Sequence, residues 1–422
     1  MRTLYTTLFY LGLPLIFVRL WWRSRLAPAY RRRWAERLGF FPALQTDKPV
    51  IWIHAVSVGE TLAALPLIHA IEDKYPTVQL VVTTTTPTGS ERVGATLGER
   101  VFHVYMPYDL PDCVARFLRR IKPNLLIVME TELWPNTLAA CRSRGIPVIL
   151  ANARLSEKSA DGYKRINAIT RPMLAQLSTV AAQHSGDAER FYSLGLTPQQ
   201  CEVTGNIKFD LTIDDSLKQE ATKLKRHWSD KGRRLVWLAA STHEGEDEKV
   251  LTAFSAAKKS FPEMLLVLVP RHPERFASVF ELCLAQGFRV QKRSGGEALN
   301  AKADVLVGDS MGELLLFLGA CDIAFIGGSL VPTGGHNLIE PAAWGVPIIS
   351  GPSLYNFSEV SRLLLDAKAL SIVNNERELS VSIVALCESM ENRISMGAAA
   401  QSVAEANRGA LERLMGIISR YF

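Results

Sequence analysis

Val50-Ile51-Trp52-Ile53-His54-Ala55-Val56-Ser57-Val58-Gly59-Glu60-Thr61 is an apolar, β-type run that stops at Ser-Val-Gly and passes at once into a helix-type run reaching residue 75. A strand that feeds directly into a helix is the unit from which parallel α/β sheets are wound. Such sheets bind ligands at the carboxyl ends of their strands, beside helix N-termini. Glu60 stands at that junction, where a general base is useful. The same residues fit a helix cap, with Ser57 as N-cap and Glu60 reaching back to its amide. The local pattern leaves both roles open.

Outward from this stretch the alternation continues. Short apolar runs at 78–83, 101–105, 125–129, 148–151 and 179–182 predict strands, and helical patterns fall at 88–97, 111–122, 134–144 and 158–177. The chain turns polar over 209–232, which reads as a linker region. A second series follows, with strands at 235–239, 265–269, 289–291, 305–308, 323–326 and 347–350. Its helices are expected at 246–261, 275–285, 314–320 and 337–344, and the tail at 395–421 reads as helical. A chain of 422 residues exceeds one ordinary core. The reading is an N-terminal segment 1–37 followed by two α/β domains of similar size, 38–212 and 213–422, with a cleft between them.

The composition, 48% hydrophobic and 21% charged, is that of a globular protein, and the net charge of +6 suits an anionic partner. The placement of that charge identifies the kind of partner. Arg19, Arg23, Arg25, Arg31, Arg32, Arg33 and Arg37 lie close together with only Glu36 opposing, just after a mostly apolar run from Leu4 to Trp22. That run is about the length that spans a bilayer, although Pro14 and Arg19 weaken a spanning reading. We read it as a membrane-anchor helix, single-pass or monotopic, with the arginines against anionic headgroups on the cytoplasmic side. No small-residue cleavage site follows, which argues against a removed signal peptide. The arginines lack the interleaved aromatic platform of a single-strand binder, so nucleic acid is not the expected partner. The six cysteines, at 113, 141, 201, 283, 321 and 387, form no Cys-x-x-Cys pair and no zinc or redox signature.

Four loops of the second half carry phosphate-type chemistry. Ser241-Thr242-His243-Glu244-Gly245-Glu246, Pro270-Arg271-His272-Pro273-Glu274-Arg275 and Gly308-Asp309-Ser310-Met311-Gly312-Glu313 each follow a predicted strand. So does Gly327-Gly328-Ser329-Leu330, which leads on to Gly334-Gly335-His336-Asn337-Leu338-Ile339-Glu340. Glycines allow close backbone approach, arginine clamps phosphate, and a glutamate one turn into a helix can accept both hydroxyls of a ribose. There is no P-loop and no strand-linked Gly-x-Gly-x-x-Gly, so these loops point to a nucleotide sugar rather than to an NTPase or a dinucleotide enzyme. His243, His272 and His336 read as hydrogen-bonding loop residues; no spacing predicts a metal site.

Several long motifs now carry a resemblance: His54-Ala55-Val56-Ser57-Val58-Gly59-Glu60-Thr61, Thr84-Thr85-Thr86-Pro87-Thr88-Gly89-Ser90, Met129-Glu130-Thr131-Glu132-Leu133-Trp134-Pro135-Asn136, Thr204-Gly205-Asn206-Ile207-Lys208-Phe209-Asp210, Pro270-Arg271-His272-Pro273-Glu274-Arg275 and Gly334-Gly335-His336-Asn337. Together they closely resemble the 3-deoxy-D-manno-octulosonic acid (Kdo) transferases of lipopolysaccharide synthesis. The resemblance implies a GT-B fold, two Rossmann-like domains facing a central cleft behind the anchor helix. It implies CMP-Kdo as donor substrate and the lipid A disaccharide precursor (lipid IVA) as acceptor at the cytoplasmic face of the inner membrane. It also implies inversion at the anomeric carbon, with no metal or other cofactor. By the same resemblance Glu60 is the general base, and Glu130 and Lys208 assist the transition state, with Glu132 a competitor to Glu130. CMP would be held by Pro270, Arg271, Met311, Gly312, Glu313, Asn337, Leu338, Ile339 and Glu340, with amides of 327–329 and 334–335 adding to the phosphate site. A GT-B epimerase, or a nucleotide-binding protein without catalysis, would share much of this pattern.

Overall fold

The computed structural model describes residues 1–25, 28–211, 213–295 and 299–422. The chain forms two compact units, one of residues 1–210 with 408–422 and one of residues 211–407. The sequence reading assigned the tail to the second domain, and the structure corrects this: 408–422 returns to the first unit. The reason is packing that no local pattern reveals. The helix Ala410–Ile418 turns Ala410, Leu414, Met415, Ile417 and Ile418 into the same core as Ile51, Ile53, Leu67 and Ile127. Each large aliphatic side chain so buried contributes about 1.5–3 kcal/mol. Asp210 fastens the turn before this helix by accepting from the amides of Gly409 and Leu411, both at 2.5 Å. The N-terminal 37 residues also belong to the first unit, and Thr212, where the sequence placed the domain boundary, lies outside the described residues.

The first unit is built on seven parallel strands: β1 (Val50–His54), β2 (Gln79–Thr84), β3 (Phe102–Tyr105), β4 (Leu125–Met129), β5 (Val148–Ala153), β6 (Thr179–Ala182) and β7 (Cys201–Val203). Their order is β3-β2-β1-β4-β5-β6-β7. β1 shows why the sheet is covered on both faces: Val50 and Trp52 enter one core, Ile51 and Ile53 the other. The predicted helix over 158–177 is two helices, Glu157–Arg165 and Asn167–Leu174, meeting at Ile166.

The second unit repeats the scheme with β8 (Val236–Thr242), β9 (Leu265–Pro270), β10 (Val290–Lys292), β11 (Val305–Val307), β12 (Ile323–Ile326), β13 (Ile348–Ser350) and β14 (Leu370–Ile372). All pairs are parallel, in the order β10-β11-β9-β8-β12-β13-β14. Its core gathers Trp237, Phe254, Leu266, Val305, Phe325 and Ile383.

The helix Arg2–Arg23 is long and apolar enough to cross a membrane, by length and composition. None of its residues is buried, yet it is not free of the first unit. Thr6 exchanges hydrogen bonds with Asn136, and the Tyr10 hydroxyl donates to Asp112 at 2.5 Å. Phe9 and Phe17 lie against Tyr108, and Phe17 also against Trp34. The remaining face exposes Leu4, Leu8, Leu11, Leu15, Val18 and Trp22 at helical spacing.

Candidate active site and nucleotide loops

In the first sheet the strand order reverses between β1 and β4, neighbours that the chain visits at different times. The carboxyl ends of two such strands diverge into helices on opposite faces and leave a crevice. Glu60 follows β1 and Glu130 follows β4, so the topology brings together two residues 70 positions apart.

Glu60 occupies the first turn of the helix Val58–Lys74. Ser57 caps this helix, its Oγ accepting from the Glu60 amide at 3.3 Å. The Glu60 carboxylate reaches back, accepting from the Val56 amide at 2.8 Å and from the Ser57 hydroxyl at 3.0 Å. Ser57 is thus the helix cap, and the Glu60 carboxylate reaches back to the Val56 amide rather than to that of Ser57, which fixes the carboxylate at the strand end. Burial pushes the Glu60 carboxyl up to about 7, and the charges of Glu130 and Glu132 add to that rise. Burial, then Glu130, also raises the carboxyl of Glu132.

Glu130 has φ of 58°, a left-handed conformation that costs a non-glycine residue about 1 kcal/mol or more. Its amide is held by the carbonyl of Ala151 at 2.9 Å. Its carboxylate meets the Lys208 ammonium at 3.4 Å. Lys208 sits in a short turn whose flanking Ile207 and Phe209 are buried, leaving the lysine exposed. Asn206 accepts from the Lys208 amide at 3.0 Å, and Asn152 accepts from that of Ile207 at 3.1 Å. Gln183 ties Asn206 to the same framework at 3.1 Å. Asn152, Gln183 and Asn206 escaped the sequence reading as positioning residues. The signal for Asn206 was present, as an asparagine directly before a short turn.

The second sheet reverses between β8 and β12. β11, β9, β8 and β12 are consecutive neighbours, so the four predicted loops do leave one edge. Pro270 ends β9 in the interior, and Arg271 emerges exposed, its amide donating to Thr242 O at 3.0 Å. Met311 and Gly312 are exposed, with Gly312 at φ 86°. Glu313 is paired with Arg293 at 2.7 Å and accepts from Ser310; the Arg293 guanidinium holds its carboxyl below the usual range. The helix predicted over 337–344 is Ile339–Ala343. Leu338 and Ile339 bury their side chains, and Asn337 takes the Ile339 amide at 2.9 Å. Asn337 also donates to Glu340 at 3.0 Å; burial raises the Glu340 carboxyl, and the nearby charge of Arg271 opposes that rise.

One expectation fails. The amides of 327–329 and 334–335 were expected to face a phosphate, but each has a partner within the chain. Gly327 donates to Ala240 at 2.8 Å, Gly335 to Gly328 at 2.7 Å and Gly334 to the Ser353 hydroxyl at 3.1 Å. Gly328 and Ser329 donate to Glu246, which also accepts from Leu330 and His243, all four at 2.6–2.9 Å. Glu246 is fully buried and gathers this loop around its carboxylate. The glycines are needed for room: a Cβ on Gly327 would sit 3.0 Å from Glu246, and one on Gly328 2.8 Å from the His336 ring. Among the described residues no group of three histidine, cysteine or acidic side chains is disposed to hold a metal ion.

Known proteins resemble this chain closely. A family model described as 3-deoxy-D-manno-octulosonic-acid transferase (kdotransferase) matches residues 32–211. The 3-deoxy-D-manno-octulosonic acid transferase of Haemophilus influenzae is 44% identical over 422 residues, covering 100% of this chain and 98% of that protein. Its counterpart from Bordetella pertussis is 34% identical, covering 95% of each. Among solved structures, UDP-GlcNAc 2-epimerase from Neisseria meningitidis aligns with a TM-score of 0.53 at 15% identity, covering 86% of this chain and 100% of that one. At that identity the likeness carries the fold alone, the two-domain α/β architecture called GT-B. The chain therefore belongs to the 3-deoxy-D-manno-octulosonic acid transferase family and is a glycosyltransferase.

Proposed function

We propose that this chain transfers Kdo from CMP-Kdo to a hydroxyl of the lipid A disaccharide precursor (lipid IVA), inverting the anomeric carbon, with Glu60 as general base. The observation that carries the reading is a half-buried carboxyl, pushed up to about 7, fixed at the carboxyl end of β1 beside two further carboxylates. A base poised near neutrality suits removal of a hydroxyl proton. The acceptor oxygen gives its proton to Glu60 and forms the new bond to the anomeric carbon. The bond from that carbon to the phosphate oxygen breaks, and CMP leaves with the electron pair.

Lys208, held against Glu130, offers a positive charge to the donor's carboxylate or to the departing phosphate. Glu130 orients that lysine and keeps the Glu60 carboxyl high. In the second unit Arg271 meets the phosphate of CMP and Glu340 the ribose, while Pro270 and Met311 to Glu313 shape the base pocket. Asn337 steadies Glu340, and Leu338 and Ile339 act as buried anchors beneath it. This assignment needs no bound metal or cofactor.

A lipid acceptor requires work at a membrane surface. The exposed Leu4, Leu8, Leu11, Leu15, Val18 and Trp22 stripe supports an interfacial rather than a spanning anchor, because the opposite face of that helix is taken by the protein. The exposed Arg19, Arg23, Arg25, Arg31 and Arg32 then lie at anionic headgroups of the inner membrane's cytoplasmic leaflet, whereas Arg37, expected among them, is buried and donates to the Thr85 carbonyl at 2.8 Å. Combining Leu8→Gln, Leu11→Gln and Leu15→Gln should abolish sedimentation with anionic vesicles while CMP binding in detergent persists; retained sedimentation would refute the anchor.

The catalytic reading is tested with Glu60→Gln, assayed by mass spectrometry of the lipid product. Product formation should collapse while CMP binding, measured by calorimetry, is retained. Turnover within a few-fold of the parent would remove Glu60 from the role.

A further inference from the structure

The mechanism above leaves three loop histidines of the second unit, His243, His272 and His336, without a task. His243 follows β8, His272 follows β9 and His336 lies in the glycine-rich segment after β12, so all three stand on the loops at the sheet's reversal point. The His243 and His336 rings are nearly parallel, at 10° with centroids 5.0 Å apart, and their Nε2 atoms are 2.8 Å from each other. At that separation one nitrogen carries a hydrogen and the other accepts it. The pair thus holds one shared hydrogen bond and two protonation levels, neutral and singly charged. His272 packs edge-on against His243 with centroids 5.3 Å apart.

The surroundings set the resting level. Arg271 and His272 face both rings, and Arg275 faces His243. The acidic groups nearby are already engaged. Glu246 pulls the His243 ring toward the charged form, but its carboxylate serves four amides. Asp247 is bonded to Arg275 and Thr242, and Glu340 is bonded to Asn337 and lies near Arg271. Burial lowers the His243 ring, and burial together with Arg271 brings the His336 ring down to about 4, so both act against an added proton on the pair. An anion placed on Arg271 works in the opposite direction. It cancels the charge that repels a second proton and adds an attractive one of its own.

We propose that the His243–His336 pair is a proton-uptake site for the donor's phosphodiester: binding of the anion is accompanied by one proton from solvent, shared across the Nε2–Nε2 contact. The inference rests on the reading of these loops as the donor site. The charged pair then adds a cation beside Arg271 while phosphate is bound and releases the proton when the nucleotide departs.

The test uses the full chain in detergent and the methyl ester of CMP, a phosphodiester that does not itself titrate near neutrality. Calorimetry at pH 7 in two buffers of different ionisation enthalpy measures protons taken up on binding. Uptake should be about 0.5–1 proton, and affinity should weaken as pH rises, by up to about tenfold per pH unit. His243→Asn and His336→Asn should each still bind the ester but cut uptake below about 0.2 proton and flatten the pH dependence. A purely structural pair would lose affinity without any change in proton count. Binding by the parent chain with no uptake, or uptake that survives in both variants, overturns the proposal. Failure of the parent chain to bind the ester at all overturns the donor-site reading beneath it.

Discussion

The two units solve the same backbone problem and then diverge in charge. Each has seven parallel strands, and each places its candidate residues where the strand order reverses. In the first the crevice collects Glu60, Glu130 and Glu132, with Lys208 against Glu130. In the second it collects Arg271, His243, His272 and His336. The topology supplies a crevice and helix starts in both cases. Crowded carboxylates suit a proton acceptor, whereas crowded cations and imidazoles suit an anion. Even the glycine-rich loop fits this division, since its Gly328, Ser329 and Leu330 amides answer to Glu246.

The sharpest way to break this comparison is a pair of variants that should fail in opposite respects. Glu60→Gln should lower turnover by about 10³-fold while CMP affinity stays within a factor of about two. Arg271→Ala should weaken CMP binding by about 10–100-fold, the worth of a charged hydrogen bond, and leave the pH dependence of turnover at saturation unchanged. Kinetics with separate kcat and KM, together with calorimetry, checks both; a shared pattern of loss would dissolve the distinction.

Between these in energy lies Glu246. Glu246→Gln should destabilise the second unit by about 3 kcal/mol, because an amide nitrogen cannot accept from the backbone donors it would face. Urea unfolding measures this, and the first unit's transition should be unmoved.

The smallest effect is the most diagnostic. The rate should rise with pH through about 7 as the Glu60 carboxyl loses its proton. Glu130→Gln removes a negative neighbour and should move that midpoint down. Ser57→Ala removes a donor to the carboxylate and should move it up, with a loss of about 1 kcal/mol of stability from the cap. Shifts in the same direction would show that the carboxylates are not a coupled group.

Much of this was legible where the physics is local. The apolar run Val50 to His54 ending at a Ser-x-x-Glu sequence announced a central strand and Ser57 as a helix cap, and both occur, with Glu60 reaching one residue further back than expected, to the Val56 amide. Strands such as Leu125–Met129 and Leu265–Pro270 showed as uninterrupted apolar runs because both of their faces are covered. What stayed hidden depended on partners distant in the chain. Glu246 looked like any first-turn acid; its four amides span residues 243 to 330. Leu370–Ile372, a short edge strand with two half-buried residues, lacked the apolar length that marked the others. The Nε2–Nε2 contact joins residues 93 apart, and neither histidine's neighbours signal it.

The return of residues 408–422 to the first unit has a consequence for biosynthesis. The second unit is in effect an insertion within the first, because the chain leaves at Asp210 and comes back at Arg408. During translation the strands β1 to β7 emerge early, but Leu414, Ile417 and Ile418 follow only after the whole of the second unit. Until then one apolar face of the first sheet's cover, around Ile68 and Ile71, lacks its closing helix. The nascent first half must wait, partly unsealed, for its own last turns, and a ribosome that stalls within residues 211–407 leaves behind a sticky intermediate rather than a finished domain.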